Sequence, residues 1–232
     1  MLQILRVAGM PVRIDASWLL VLGVMGWGVA SGAVPRILPG LTTGAAWLHG
    51  VAAAALLFAS VLLHELAHAL VAREHGARVG GIRLHVFGGA LELRSAPATP
   101  RAEFLIAAVG PLTSFALAAV CYGLGRTLAG TTWLAALTGY LVVVNLMVGL
   151  VNLVPGFPLD GGRLLRALLW AWSGQPEWAT RCASRAGSLF AVALIALGAL
   201  RAVGGEVVGG LWFVVVGLFL RQVERDAGPR AA

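Results

Sequence analysis

The sequence predicts an all-α polytopic membrane protein of about six transmembrane helices, with a small membrane-associated β-hairpin between the second and third. Three observations carry that prediction. Hydrophobic residues make up 59% of the 232 residues and charged residues only 12%, with a mean hydropathy of +0.88. A soluble domain carries about 25% charged residues, so a soluble globular enzyme and a disordered chain are both excluded. Six apolar segments recur at lengths suited to crossing about 30 Å of hydrocarbon. All 17 basic residues are Arg, and they gather in the gaps between those segments. The net charge of +7 is therefore a topological signal. No basic face with interleaved aromatics accompanies it, so no nucleic-acid partner is expected.

The segments run over 15–34, 45–72, 103–125, 132–154, 185–203 and 207–221. The first follows Arg6 and Arg13 and exceeds a signal-peptide core in length, so it reads as a retained span. The second is long enough to tilt or to extend past the bilayer. The fifth and sixth are short, are separated only by Arg201 to Glu206, and read as a helical hairpin. With the N-terminus inside, 14 Arg fall on the inner side, and only Arg36, Arg126 and Arg201 fall outside. Both termini are thus expected in the cytoplasm. Cys121 and Cys182 then lie near opposite faces and are expected as free thiols.

Two intervals break the apolar pattern. Residues 79–94 read VGGIRLHVFGGALELR. Ile82, Leu84 and Val86 alternate with Arg83, His85 and Phe87, and Leu91 and Leu93 alternate with Glu92 and Arg94, across a Gly88-Gly89 punctuation. That is a short hairpin or sheet edge. Residues 155–162, PGFPLDGG, end the fourth span. Residues 163–172 then read as an amphipathic helix on the inner interface, with Trp170, Trp172 and Trp178 at belt positions.

The chemistry concentrates in the second span, which ends VLLHELAHALVAREHG. His64 and His68 stand at i and i+4 and share one helix face, with Glu65 beside them. This is the H-E-x-x-H pattern, in which two imidazoles bind zinc and the carboxylate activates a water. With 5 His and 7 Glu in the chain, chance would produce it with a probability of only about 0.003. Ionisable groups in an otherwise apolar span are costly and point to function. A catalytic zinc site needs a third protein ligand. Asp15 and Glu103 sit at helix starts, where dipole pairing accounts for them. Glu74 and Glu92 lie in Arg-rich stretches suited to solvated ion pairs. Asp160 lies in the Pro/Gly turn that closes the fourth span, on the same membrane face as the two histidines. It reads either as that ligand or as the N-cap of the following helix.

His64-Glu65-Leu66-Ala67-His68 in an apolar helix, followed by NLVPGFPLDGG at 152–162, resembles the site-2 protease family of intramembrane zinc metalloproteases, peptidase family M50. Gly88-Gly89 and Gly110-Pro111-Leu112 match as well. The resemblance covers residues 50 to 170. It implies one zinc per chain held by His64, His68 and Asp160, with Glu65 as general base. It also favours Asn152 as an oxyanion donor over a plain interhelical amide bond. At the position of Ser114 the family often carries Asn, a departure expected to concern packing. Only 32 residues separate His68 from Arg101, so a PDZ domain of about 90 residues cannot be inserted there. The expected subclass is the sporulation-protease type without PDZ. The expectation is one membrane-embedded domain over 1–232, with no CBS domain.

By this resemblance the chain hydrolyses peptide bonds in or near transmembrane helices of membrane-held regulators, such as a single-span anti-sigma factor. A catalytically inactive relative that binds transmembrane helices is the alternative, and the intact Glu65 speaks against it. A metal transporter spreads ionisable groups along several spans, whereas here they collect at one face. All-Arg usage points to the plasma membrane of a bacterium. The 82–93 hairpin reads equally as a strand edge that accepts an unwound substrate or as a lid that shields the site.

Overall fold

The computed structural model describes residues 2–85, 88–128 and 132–227. Its strands are β1 (Leu2–Val7), β2 (Met10–Ile14), β3 (Val79–His85) and β4 (Gly88–Leu93). Its helices are α1 (Ala16–Gly28), α2 (Val34–Ile37), α3 (Thr43–Glu74), α4 (Pro100–Thr127), α5 (Thr132–Asn152), α6 (Asp160–Ser173), α7 (Pro176–Val203) and α8 (Val207–Ala227). A π-helical turn, Val29–Ala33, joins α1 to α2. Among the described residues, five helical stretches are long and apolar enough to cross a membrane: Ala16–Ile37, α3, α4, α5 and α7. The sixth expected span is an apolar but shorter stretch, Val207–Gln222. The helix expected from 185 begins at Pro176, where a proline can open a helix because its missing N–H costs nothing there.

The chain forms two compact units. The first comprises Met1–Pro97 and Val109–Leu150. Its four strands lie in the order β1-β2-β3-β4. The expected hairpin is β3–β4, with Leu84 opposite Gly89. Gly88 and Gly89 belong to the strand itself, while Val86 and Phe87 lie outside the described residues. The N-terminal half of the sheet was not expected. Ala8 and Gly9, both at positive φ (50° and 79°), turn β1 into β2 as a two-residue hairpin requires. β2 then runs parallel to β3, pairing Val12 with Ile82 and Ile14 with Leu84.

The sheet's register has a packing cause. Met10 and Val12 on β2, and Ile82 and Leu84 on β3, are two-residue repeats, so each pair shares one sheet face. They form a buried cluster with Trp18 of α1 and Leu57, Val61 and Ala69 of α3. Asp15 links sheet to helix. Its backbone N–H donates to Leu84 O (2.8 Å), and its carboxylate caps α1 by accepting the Ser17 N–H (3.0 Å). That hydrogen bond holds the Asp15 carboxyl below its ordinary pKa. Helices α1 and α3 cross at Gly26 and Gly50, where a Cβ on Gly50 would overlap the Gly26 carbonyl. On α5, Asn145 donates from Nδ2 to Ser60 Oγ (3.1 Å) and to Leu141 O (2.9 Å). It is the interhelical amide that a polar residue in a span is expected to be.

The second unit comprises Ala98–Ala108 and Val151–Ala232. Helices α7 and α8 meet through glycines: a Cβ on Gly210 would overlap the Gly198 carbonyl. The 153–159 turn packs on α7 in the same way, since a Cβ on Gly156 would stand 2.5 Å from the Gly187 Cα. Polar contacts complete the unit. Arg166 of α6 reaches Glu103 in the first turn of α4 (2.9 Å) and Thr180 of α7 (3.4 Å).

Candidate metal centre

Helix α3 carries the paired imidazoles. Four residues of helix advance almost one full turn, so His64 and His68 project side by side. Their ring centroids are 4.9 Å apart and the rings are edge-on, at 73°. His64, Glu65 and His68 are 3%, 7% and 5% exposed. Burying three such groups together is costly unless they are paired or bind a metal.

Two neighbouring helical turns of α4 shape the pocket around these rings. A Cβ placed on Gly110 would collide with His68 Nε2 and stand 2.6 Å from His64 Nε2. Both Nε2 atoms therefore converge on one small space, which exists because residue 110 has no side chain. One turn further along α4, Ser114 is fully buried, and its Oγ lies 2.9 Å from His64 Nδ1. A ligating histidine normally gives its second nitrogen to such a partner, which fixes the tautomer and leaves Nε2 for the metal. Ser114 is thus a hydrogen-bonding residue and not the packing residue that the sequence suggested.

Strand β4 covers the carboxylate. A Cβ on Gly89 would overlap Glu65 Cγ and Oε1. Backbone approaches the acid at a distance that only glycine permits. No metal ion is part of the structure. The donor chemistry nevertheless fits zinc: two imidazole nitrogens aimed at one cradle, with a carboxylate next to them.

The remaining acids sort themselves by their partners. Asp15 caps α1. Glu92 pairs with Arg13 (3.1 Å) and with Arg83. Glu103 stands in the first turn of α4, as expected, and also pairs with Arg166. Glu74 is exposed at the end of α3. Asp160 is the first residue of α6, with Leu159 at the cap position, so it lies inside the helix and is not its N-cap. The following glycines set its place: a Cβ on Gly161 would overlap the carbonyls of Leu153 and Val154, and one on Gly162 would stand 2.5 Å from the Gly156 carbonyl carbon. Asn152 ends α5.

Two of the other histidines are held by structural contacts. His49 is buried edge-on to Trp133 at 5.2 Å. His75 closes α3, with Nδ1 2.9 Å from Val71 O. His85 sits on β3, where burial and then the Arg83 charge push its pKa down.

Helices long and apolar enough to cross a membrane, burying an H-E-x-x-H pair beside a glycine cradle, define a polytopic membrane protein with a candidate metal centre. The comparisons agree. The chain belongs to peptidase family M50, whose model matches residues 52–141 and 127–194. It is 42% identical over 228 residues to Rip3 of Mycobacterium tuberculosis, a protein named as a zinc metalloprotease, covering 97% of this chain and 58% of that one. It is 37% identical to the similarly named sll0528 of Synechocystis, covering 96% of this chain and 58% of that one. The chain thus spans 58% of the length of these relatives. Among solved structures, the site-2 protease from Methanocaldococcus jannaschii superposes with a TM-score of 0.62 at 26% identity, covering 98% of this chain and 94% of that one. The expected family resemblance and helical membrane fold are both borne out.

Proposed function

We propose that the protein is an intramembrane zinc endopeptidase that cuts peptide bonds in or near transmembrane helices of membrane-held regulators. The observation that carries this reading is the convergence of His64 and His68 Nε2 on the Gly110 cradle, with buried Glu65 alongside. In this reading Asp160 supplies the third ligand, and one zinc is held per chain. The family motif and the engagement of Asp15, Glu92 and Glu103 elsewhere support that choice.

When bound, zinc supplies a Lewis acid for the scissile carbonyl and lowers the pKa of a water. The protein's own residues do the rest. Glu65 accepts a proton from the attacking water and returns it to the leaving amine. Ser114 holds His64 in the tautomer that presents Nε2. Asn152 offers an amide N–H to the developing oxyanion. The outer strand of the hairpin, β4, accepts an unwound stretch of the substrate at its edge, since the substrate's backbone groups must find partners once they leave their own helix. The substrate class is a single-span membrane protein such as an anti-sigma factor. The enzyme resides in the plasma membrane of a bacterium, with both termini and the active-site end cytoplasmic. The Arg asymmetry supports that placement.

The test is zinc per polypeptide in detergent-purified protein, read beside cleavage of a single-span substrate. About one zinc in the parent and in Glu65→Gln, cleavage by the parent only, and little zinc in Asp160→Ala are expected. A parent that holds zinc but cuts no transmembrane substrate favours the inactive helix-binding relative. A parent that takes up no zinc when it is offered overturns the enzyme reading.

A further inference from the structure

The second unit contains a buried ion pair that the proposed chemistry does not use. Glu103 and Arg166 side chains are 6% and 15% exposed. The Arg166 Nε lies 2.9 Å from one carboxylate oxygen and 3.1 Å from the other. Its Nη1 donates to Thr180 Oγ1 (3.4 Å), and that hydroxyl donates to Pro176 O (2.8 Å). The guanidinium also lies 5.9 Å from the Trp170 ring centroid. One side chain on α6 thereby holds the first turn of α4, the first turn of α7 and its own helix.

Such a pair is a poor source of stability. Desolvating two charges costs about as much as their attraction returns, and an apolar pair of similar volume often does as well. What a buried, multiply bonded guanidinium does supply is a fixed geometry. Arg166 lies six residues after Asp160 on the same short helix, α6. Its partner Glu103 opens α4, an uninterrupted helix. Positions 103, 107, 110 and 114 fall at i, i+4, i+7 and i+11 on one stripe of that helix, and all four are buried. Within the second unit the pair thus ties α6 to the start of α4.

We infer that the Glu103–Arg166 pair is a positioning device for Asp160, fixing the rotation and depth of α6 so that its first residue is held as a metal ligand. Neither residue is one of the proposed ligands. The inference rests on the reading in which Asp160 is the third ligand.

The test is zinc affinity by chelator competition on the 232-residue protein in detergent, together with the metal-free thermal midpoint. The variants are Asp160→Ala, Arg166→Met, Glu103→Gln, the pair-replaced Glu103→Gln/Arg166→Met, and Asp160→Ala/Arg166→Met. Groups bonded directly to metal ligands typically change affinity by about 10- to 100-fold, and a pair that acts through the helix is expected at the lower end. Arg166→Met and the pair-replaced protein are expected to bind zinc about 10-fold or more weakly. The pair-replaced protein, with no charge left unpaired, is expected to keep its metal-free midpoint. In the Asp160→Ala background, Arg166→Met should cost little further affinity, because the pair acts through Asp160. A purely structural pair would lower the midpoint and weaken zinc equally in both backgrounds. Parental affinity in the pair-replaced protein, or fully additive losses, overturns the positioning role and leaves the ligand assignment standing. Parental affinity in Asp160→Ala overturns both. If the single variants do not fold, the pair-replaced protein and its Asp160→Ala derivative decide the question by the same comparison.

Discussion

Ser114 Oγ stands 2.9 Å from His64 Nδ1, with both side chains buried. For His64 to offer Nε2 to a metal, its Nδ1 must carry the proton, so the imidazole donates and the serine oxygen accepts. Ser114→Ala removes that acceptor and frees the ring to change tautomer. Zinc affinity is expected to fall about 10- to 100-fold while the helices remain formed. Ser114→Asn keeps an acceptor on a longer side chain and should retain most of the affinity. Chelator competition on both variants, with circular dichroism as the control for folding, measures the difference.

The same helix makes a harder prediction at Gly110. A Cβ there would collide with His68 Nε2 and crowd His64 Nε2. The imidazoles must yield or the helices must part, and in either case the convergence of the two nitrogens is lost. Gly110→Ala should therefore bind far less than one zinc per chain. The substitution raises intrinsic helix propensity by about 1 kcal/mol, so helical content should not fall. Metal content and helicity measured on one sample separate a lost site from a lost fold.

Much of this was legible in the sequence, for physical reasons. Long apolar runs are forced into helices because hydrocarbon leaves no other partner for the backbone, so α3, α4 and α5 fall within a few residues of their expected bounds. His64, Glu65 and His68 were visible because a four-residue spacing means adjacency on any helix. What stayed hidden depends on segments far apart in sequence. β1 and β2 are short strands beside a strong apolar run, and hydropathy reads only the run. The Ala8-Gly9 turn between alternating residues was the signal available, but the parallel pairing of Val12 with Ile82 carries no local trace. Ser114 and Glu103 looked like a packing residue and a helix-dipole acid, because their partners, His64 and Arg166, lie 50 and 63 positions away.

Asp15 predicts a pH dependence outside the metal centre. Its carboxylate accepts the Ser17 N–H, and this holds its pKa below the ordinary value of about 4. A carboxyl depressed in the folded state adds stability above its unfolded pKa. That contribution disappears as pH falls through the lower, folded value. The parent should thus lose thermal midpoint below about pH 4. Asp15→Asn keeps a capping acceptor without a titrating group, so it should lose less over the same window. Asp15→Ala should be less stable than both at neutral pH. Midpoints of the metal-free proteins across that range test all three statements.

Gly89 separates catalysis from metal binding. It lies on β4 with its α-carbon directly against Glu65, and a Cβ would overlap both Cγ and Oε1. The two imidazoles are served by a different element, α4, through Gly110 and Ser114. Gly89→Ala should therefore displace the carboxylate while leaving both Nε2 atoms where they are. The expected protein holds about one zinc yet cleaves a single-span substrate no better than Glu65→Gln. Gly89→Ala could instead act by disturbing a strand that receives substrate. Binding of a non-cleaved substrate to Glu65→Gln and to Glu65→Gln/Gly89→Ala distinguishes the two causes: equal binding assigns the loss to the displaced base, and weaker binding assigns it to the strand edge.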